Sequence, residues 1–144
     1  MNDTKLKGNL TEMQCMLAFM KLGYQISIPF GEDCRYDFIV DINNKLYRIQ
    51  CKTSSEFIDS SGEIAGITFK TCRQTGSNAR TSVRTKYTKE DIDYFATFYK
   101  DKCYLVSVEE SSVEKRLRII PPKNGTKMQN NIINYELCEV LKTL

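Results

Sequence analysis

The stretch from Arg35 to Ser54, RYDFIVDINNKLYRIQCKTS, sets the frame for the rest of this chain. It reads as two β-strands joined by a tight polar turn. Phe38, Ile39, Val40 and Ile42 stand on one side of Asn43-Asn44, and Leu46, Tyr47 and Ile49 on the other, a pattern suited to a hairpin. Each strand also carries polar groups that a plain hairpin does not need.

Side chains alternate along a strand, so Arg48, Gln50 and Lys52 share one face. Asp37 stands at the start of the first strand and reaches the same edge if pairing continues past the turn. An acid, a carboxamide and an ammonium then converge on one spot. The carboxylate and amide oxygens are hard ligands suited to Mg²⁺, and the lysine suits polarising an attacking water or steadying charge on a phosphate. The plain alternative is that Asp37, Gln50 and Lys52 form the wet side of an antiparallel hairpin.

Asp37, then Gln50-Cys51-Lys52 on the next strand, with Glu12 in a preceding helix, resembles the PD-(D/E)XK nuclease superfamily. Within it the chain is similar to the group I intron homing endonucleases of this fold, and also to archaeal Holliday junction resolvases. The ordered pieces are Gly8-Asn9-Leu10-Thr11-Glu12, Leu22-Gly23-Tyr24, Pro29-Phe30-Gly31, Arg35-Tyr36-Asp37, Arg48-Ile49-Gln50-Cys51-Lys52-Thr53 and the run Tyr87 to Ala96. Two positions depart from the superfamily pattern. Tyr36 stands where proline is usual, and Gln50 where a second acid is usual, a variant the homing-endonuclease group shares. A neutral oxygen at Gln50 implies a less negative site and weaker metal binding.

At 144 residues the chain is long enough for one domain with a single core, and its 41% hydrophobic share excludes a mostly disordered protein. No apolar run approaches the roughly 20 residues of a membrane helix, and Met1 to Gly8 is polar, so no signal peptide or membrane contact is expected and the chain should be intracellular. Six cysteines are scattered singly, without a CxxC pair, and there is no histidine. A zinc knuckle and a Cys-His nucleophile are therefore excluded within this chain, and buried reduced thiols are the better account. Acid and base work near neutral pH falls to carboxylate, lysine, tyrosine or water on a metal.

The net charge of +3 says little, but its distribution says more. Between Lys70 and Lys89 the chain places Lys70, Arg73, Arg80, Arg84, Lys86 and Lys89 with no acid among them, interleaved with Ser, Thr and Asn. A solvated loop would look like this. Beside a nuclease site, the same run reads as an arm for the DNA backbone.

In chain order the spacing predicts a first helix from about Thr4 or Lys7 to Leu22, with Leu10, Met13, Met16, Leu17 and Met20 as its apolar stripe and Gly23 as its stop. Tyr24 to Ile28 reads as a strand, Ser55 to Glu63 as a loop and Ile64 to Thr71 as a strand. Thr88 caps a second helix whose buried face is Ile92, Phe95, Ala96 and Tyr99. Cys103 to Val108 and Leu117 to Ile120 read as strands. A final helix over 127–144 offers a broad apolar stripe, wide enough for the core and for a partner subunit.

The expectation is one nuclease domain over 1–144 of α/β (α+β) class, with a restriction-endonuclease-like core and a mixed central sheet flanked by helices. The resemblance implies a Mg²⁺-dependent DNA endonuclease, with Mn²⁺ possible. Asp37, Gln50 and Glu12 would hold the metal, Lys52 would assist catalysis, and Arg35, Lys70, Arg73, Arg80, Arg84 and Lys86 would contact DNA. A homodimer or homotetramer is implied for cutting both strands. The alternatives are a junction-resolving nuclease sharing these residues and a non-catalytic DNA-binding module, which Gln50 keeps open.

Overall fold

The computed structural model of the chain describes residues 2–75 and 83–144. The first helix, α1 (Asp3–Lys21), starts where Asn2 accepts the Lys5 N–H at 2.8 Å, and it ends before Gly23, whose φ of +91° suits glycine. Its neighbours in sequence are β1 (Gln25–Ser27), β2 (Phe38–Ile42) and β3 (Lys45–Cys51). Asn43 and Asn44 both take positive φ, 54° and 68°, as a two-residue hairpin turn requires.

These strands join β8 (Tyr94–Tyr99) and β9 (Lys102–Ser107) in a five-stranded sheet of order β1-β2-β3-β8-β9. It is mixed, because β3 and β8 run parallel while the other neighbours are antiparallel. Three further strands, β4 (Ser55–Ile58), β5 (Ile64–Lys70) and β10 (Glu114–Arg118), make a second sheet, and β6 (Cys72–Thr75) with β7 (Val83–Lys86) makes a separate hairpin.

Apolar side chains divide between two clusters. One joins α1 to the sheet through Cys15, Phe19, Phe38, Val40, Ile49 and Leu105, with the Phe19 and Phe38 rings edge to face at 5.8 Å. The other joins the sheet to β5 and β10 through Phe95, Val106, Ile67, Phe69 and Leu117. The central sheet is therefore covered on both faces.

Four expectations need correction. The segment after Thr88 is not a helix: Thr88 begins one turn, with the Asp91 N–H on its carbonyl at 2.9 Å, and the chain then enters β8. Ser55 to Glu63 is not all loop, since β4 occupies its first half. Helix 127–144 is reduced to a 3₁₀ turn (Ile132–Tyr135) and α2 (Leu137–Leu141), and the apolar Leu137, Val140, Leu141 and Leu144 pack on the first cluster. In α1 the buried face is Thr11, Cys15, Met16 and Phe19, whereas Leu10, Met13, Leu17 and Met20 are exposed.

Cys15, Cys72 and Cys103 are buried free thiols as expected, but Cys34 and Cys138 are exposed. Among the described residues no helix is long and apolar enough to cross a membrane.

Candidate active site

The site is built where the β2–β3 and β3–β8 ladders overrun their strands. The Asp37 N–H donates to the Ile49 carbonyl at 2.8 Å, one residue before β2, and the Lys52 N–H donates to the Ala96 carbonyl at 2.9 Å, one residue after β3. Backbone pairing thus fixes both residues at one end of β3. Between them the Cys51 N–H donates to Asp37 Oδ2 at 2.7 Å, a charge-assisted bond that sets the carboxylate plane.

Helix α1 closes the other side. Its Thr11 hydroxyl bonds the Lys7 carbonyl at 2.9 Å and meets the Thr53 hydroxyl at 3.2 Å, which ties the helix to the segment just past Lys52. Glu12 follows directly. Glu12, Asp37 and Gln50 line one open cleft of about 340 Å³, with Lys5, Gly8, Asn9 and Cys51 completing its wall. Gln50 also donates to the Cys51 carbonyl through Nε2 at 3.4 Å. Lys52 stands beside the cleft, its Nζ 3.5 Å from the Cys72 carbonyl and 5.1 Å from the centre of the Tyr87 ring.

Burial works against every charge here. It pushes the Asp37 carboxyl above the ordinary carboxylate range, against the pull of the Cys51 N–H and of Lys52. Glu12 is raised by burial and then by the nearby Asp37 charge. The Lys52 ammonium is pulled down by burial, with Asp37 opposing and Arg73 adding to the fall. Two carboxylates in one cleft, both reluctant to ionise, are what a cation would relieve. The described residues offer no group of three His, Cys, Asp or Glu side chains around one point, and Gln50 adds an amide oxygen to the two carboxylates that line the cleft.

The remaining predicted residues are spread more widely. Arg35 bridges Asp91 at 2.8 Å, and Lys70 pairs loosely with Glu114 at 3.8 Å. Arg73, Arg84 and Lys86 are exposed on the β6–β7 hairpin, whose register puts Arg84 and Lys86 on one face and Arg73 on the other. Arg80 lies outside the described residues. Arg48, on the same strand face as Gln50, serves the fold: its guanidinium bonds the Lys89 and Glu90 carbonyls at 2.6 Å each and pairs with Asp93 at 3.3 Å. Glu32 and Asp33 are exposed and do not line the cleft.

Tyr87 is the residue that the sequence understated. Its ring stands edge to face on Phe95 at 5.4 Å, as packing predicts, yet it also carries the Lys52 ammonium over its face. The β6–β7 pairing of Cys72 with Lys86 and the packing of Tyr87 on Phe95 of β8 bring these two together.

One protein-family model, described as PD-(D/E)XK endonuclease, matches residues 2–138. Among solved structures the chain is similar to that of a bacterial homing endonuclease, I-Ssp6803I, with 21% identity and a TM-score of 0.76 over 99% of this chain and 95% of that one. At that identity the likeness speaks for the fold. A search of curated proteins gave no match.

Proposed function

This chain belongs to the PD-(D/E)XK endonuclease family, and from that premise we propose that it hydrolyses DNA phosphodiester bonds with a divalent cation, Mg²⁺ or Mn²⁺, at the cleft between α1 and β3. One observation carries the reading. Asp37, fixed through Oδ2 by the Cys51 N–H, shares a cleft with Glu12 and Gln50 while Lys52 stands alongside.

The donor set fits a hard cation: two carboxylate groups and an amide oxygen, on groups whose burial leaves negative charge uncompensated. A bound divalent ion supplies Lewis-acid stabilisation to the phosphate and acidifies water. The protein's own residues do the rest. Asp37 and Glu12 would hold the ion, Gln50 would add a neutral oxygen or orient the attacking water, and Lys52 would stabilise the charge growing on the phosphate. The Tyr87 face and the Cys72 carbonyl hold the ammonium beside the cleft.

Arg35, Lys70, Arg73, Arg84 and Lys86 serve the DNA backbone, with Arg80 assigned to the same arm by sequence. The likeness to a bacterial homing endonuclease supports reading the activity as homing-endonuclease-like. Cutting both strands calls for more than one copy.

The test is incubation of wild type and Lys52→Ala with plasmid, synthetic four-way junction and single-stranded DNA, each with Mg²⁺, Mn²⁺ or EDTA. Cuts that need metal and vanish in the variant support the reading. Preference for the junction would redirect it to a resolvase. Equal DNA binding by both proteins, with neither taking up Mg²⁺ or Mn²⁺ in calorimetry, would leave a binding module without chemistry.

A further inference from the structure

Helix α1 is apolar on two opposite faces. Thr11, Cys15 and Phe19 are buried against the central sheet. On the far side, Leu6, Leu10, Met13, Leu17 and Met20 gather in a stripe about 80° wide, at 3.6 residues per turn. All five are between 46% and 63% exposed.

Their spacing is the informative feature. Steps of four, three, four and three residues make a strict heptad seam, narrower than the stripe by which a helix packs on a globular core. Such a seam fits another helix with the same repeat. The apolar surface continues past the helix into a shallow groove of about 870 Å³, where Met13, Leu17 and Met20 meet Tyr24, Ile26 and Ile28. With Ile28 also exposed, the patch exceeds the few hundred Å² of contiguous apolar surface that a monomer usually leaves to water.

We infer that this surface is a two-fold interface in which α1 packs seam to seam, antiparallel, on α1 of a second copy of this chain. A self-complementary patch suits a two-fold axis. Charge selects the direction. Asp3 and Lys21 are 18 residues apart, five full turns, and so lie on the same edge of the seam at opposite ends of the helix. Antiparallel pairing brings each carboxylate to the ammonium of the other copy, whereas parallel pairing puts the charged edges of the two helices on opposite sides of the interface and gains neither contact. Glu12 lies toward the buried side, so the interface leaves the candidate active site open.

Sedimentation of the full chain at about 50 μM, without DNA or metal, tests this apart from any nuclease activity. The expected result is a mass of at least two chains for wild type, and half the wild-type mass for Met13→Glu and for Leu17→Lys. Both variants should keep the wild-type circular dichroism, because both positions are exposed. Should either variant lose its fold, Met13→Gln with Leu17→Gln gives the same reading with less charge. Asp3→Lys or Lys21→Asp alone should weaken association about tenfold, and the two together should restore it. A monomeric wild type, or folded seam variants that keep the wild-type mass, would overturn the interface. Failure of the charge pair to restore association would overturn the antiparallel direction.

Discussion

The end of β3 and the β6–β7 hairpin bring charge to adjacent places by opposite means. At β3, Asp37 and Lys52 are held by the backbone ladder and partly buried, and burial has moved both away from their ordinary titration ranges. On the hairpin, Arg73, Arg84 and Lys86 stand in water on four-residue strands that belong to neither larger sheet. Groups kept in a low-dielectric setting act strongly at one point, and groups in water act weakly over a surface. On the proposed function, the first region carries the chemistry and the second the grip on DNA.

The sharpest way to break that contrast is Asp37→Asn. Cleavage should fall by about 10³-fold or more, as expected when a metal-holding carboxylate goes, while affinity for non-specific duplex stays within about threefold. The metal-free variant should also be more stable. Because the folded pKa of Asp37 is raised, its contribution to stability is complete below the unfolded value and is lost as pH rises through the folded one. At neutral pH the wild type therefore carries a penalty that the amide removes. Thermal unfolding should show a gain of about 2–4 °C at pH 7 that disappears near pH 3. On the proposed function, cation uptake should release protons from Asp37 and Glu12, since both must ionise to hold it.

Lys52→Ala comes next, with an expected loss of about 10²–10³-fold in single-turnover rate and little change in metal binding. A variant that lost metal instead would move Lys52 from the phosphate to the architecture of the cleft. Gln50→Glu tests the site from the other side. A third carboxylate should lower the Mg²⁺ concentration for half-maximal cleavage about tenfold, because it adds a full charge where the wild type offers an amide. Titration of cleavage against Mg²⁺ reads this directly.

How far these residues were legible from sequence depends on the range of the interaction that places them. Asp37, Gln50 and Lys52 follow from period-two alternation within one hairpin, and that hairpin formed with the expected turn. Strand β8 was misread because it is central and covered on both faces. Phe95, Ala96 and Thr97 are all buried, so the segment shows no alternation, and Ile92, Phe95, Ala96 and Tyr99 happen to match a helical repeat. The capping signal at Thr88 was real, since its hydroxyl accepts the Glu90 N–H at 3.3 Å, but one turn did not propagate. On α1 the more hydrophobic stripe is the outer one. The inner stripe, with Thr11 and Cys15, is recognisable as core only once the sheet is present. Cys51, whose backbone N–H fixes Asp37, and Tyr87, which carries Lys52, act through geometry that no local pattern encodes.

The smallest expected effect falls on the hairpin and bears most directly on the division of labour. Arg84→Ala removes an exposed cation whose register neighbour is Gln74, at a distance in sequence from every cleft residue. If the hairpin only grips, the variant should bind non-specific duplex a few-fold more weakly, and the slope of log affinity against log salt should shrink by about one, as it does when a single phosphate is no longer neutralised. Its single-turnover rate at saturating DNA should match wild type. Arg73→Ala should give the same fall in slope, but with a second signature. Arg73 lies within electrostatic reach of Lys52 and helps hold its pKa down, so removing it lets that pKa rise and shifts the basic limb of cleavage upward. Two variants one strand apart, alike in salt dependence and different in pH profile, would locate the boundary between grip and chemistry at Arg73. An Arg84 variant that altered the pH profile as well would extend the chemical region across the whole hairpin.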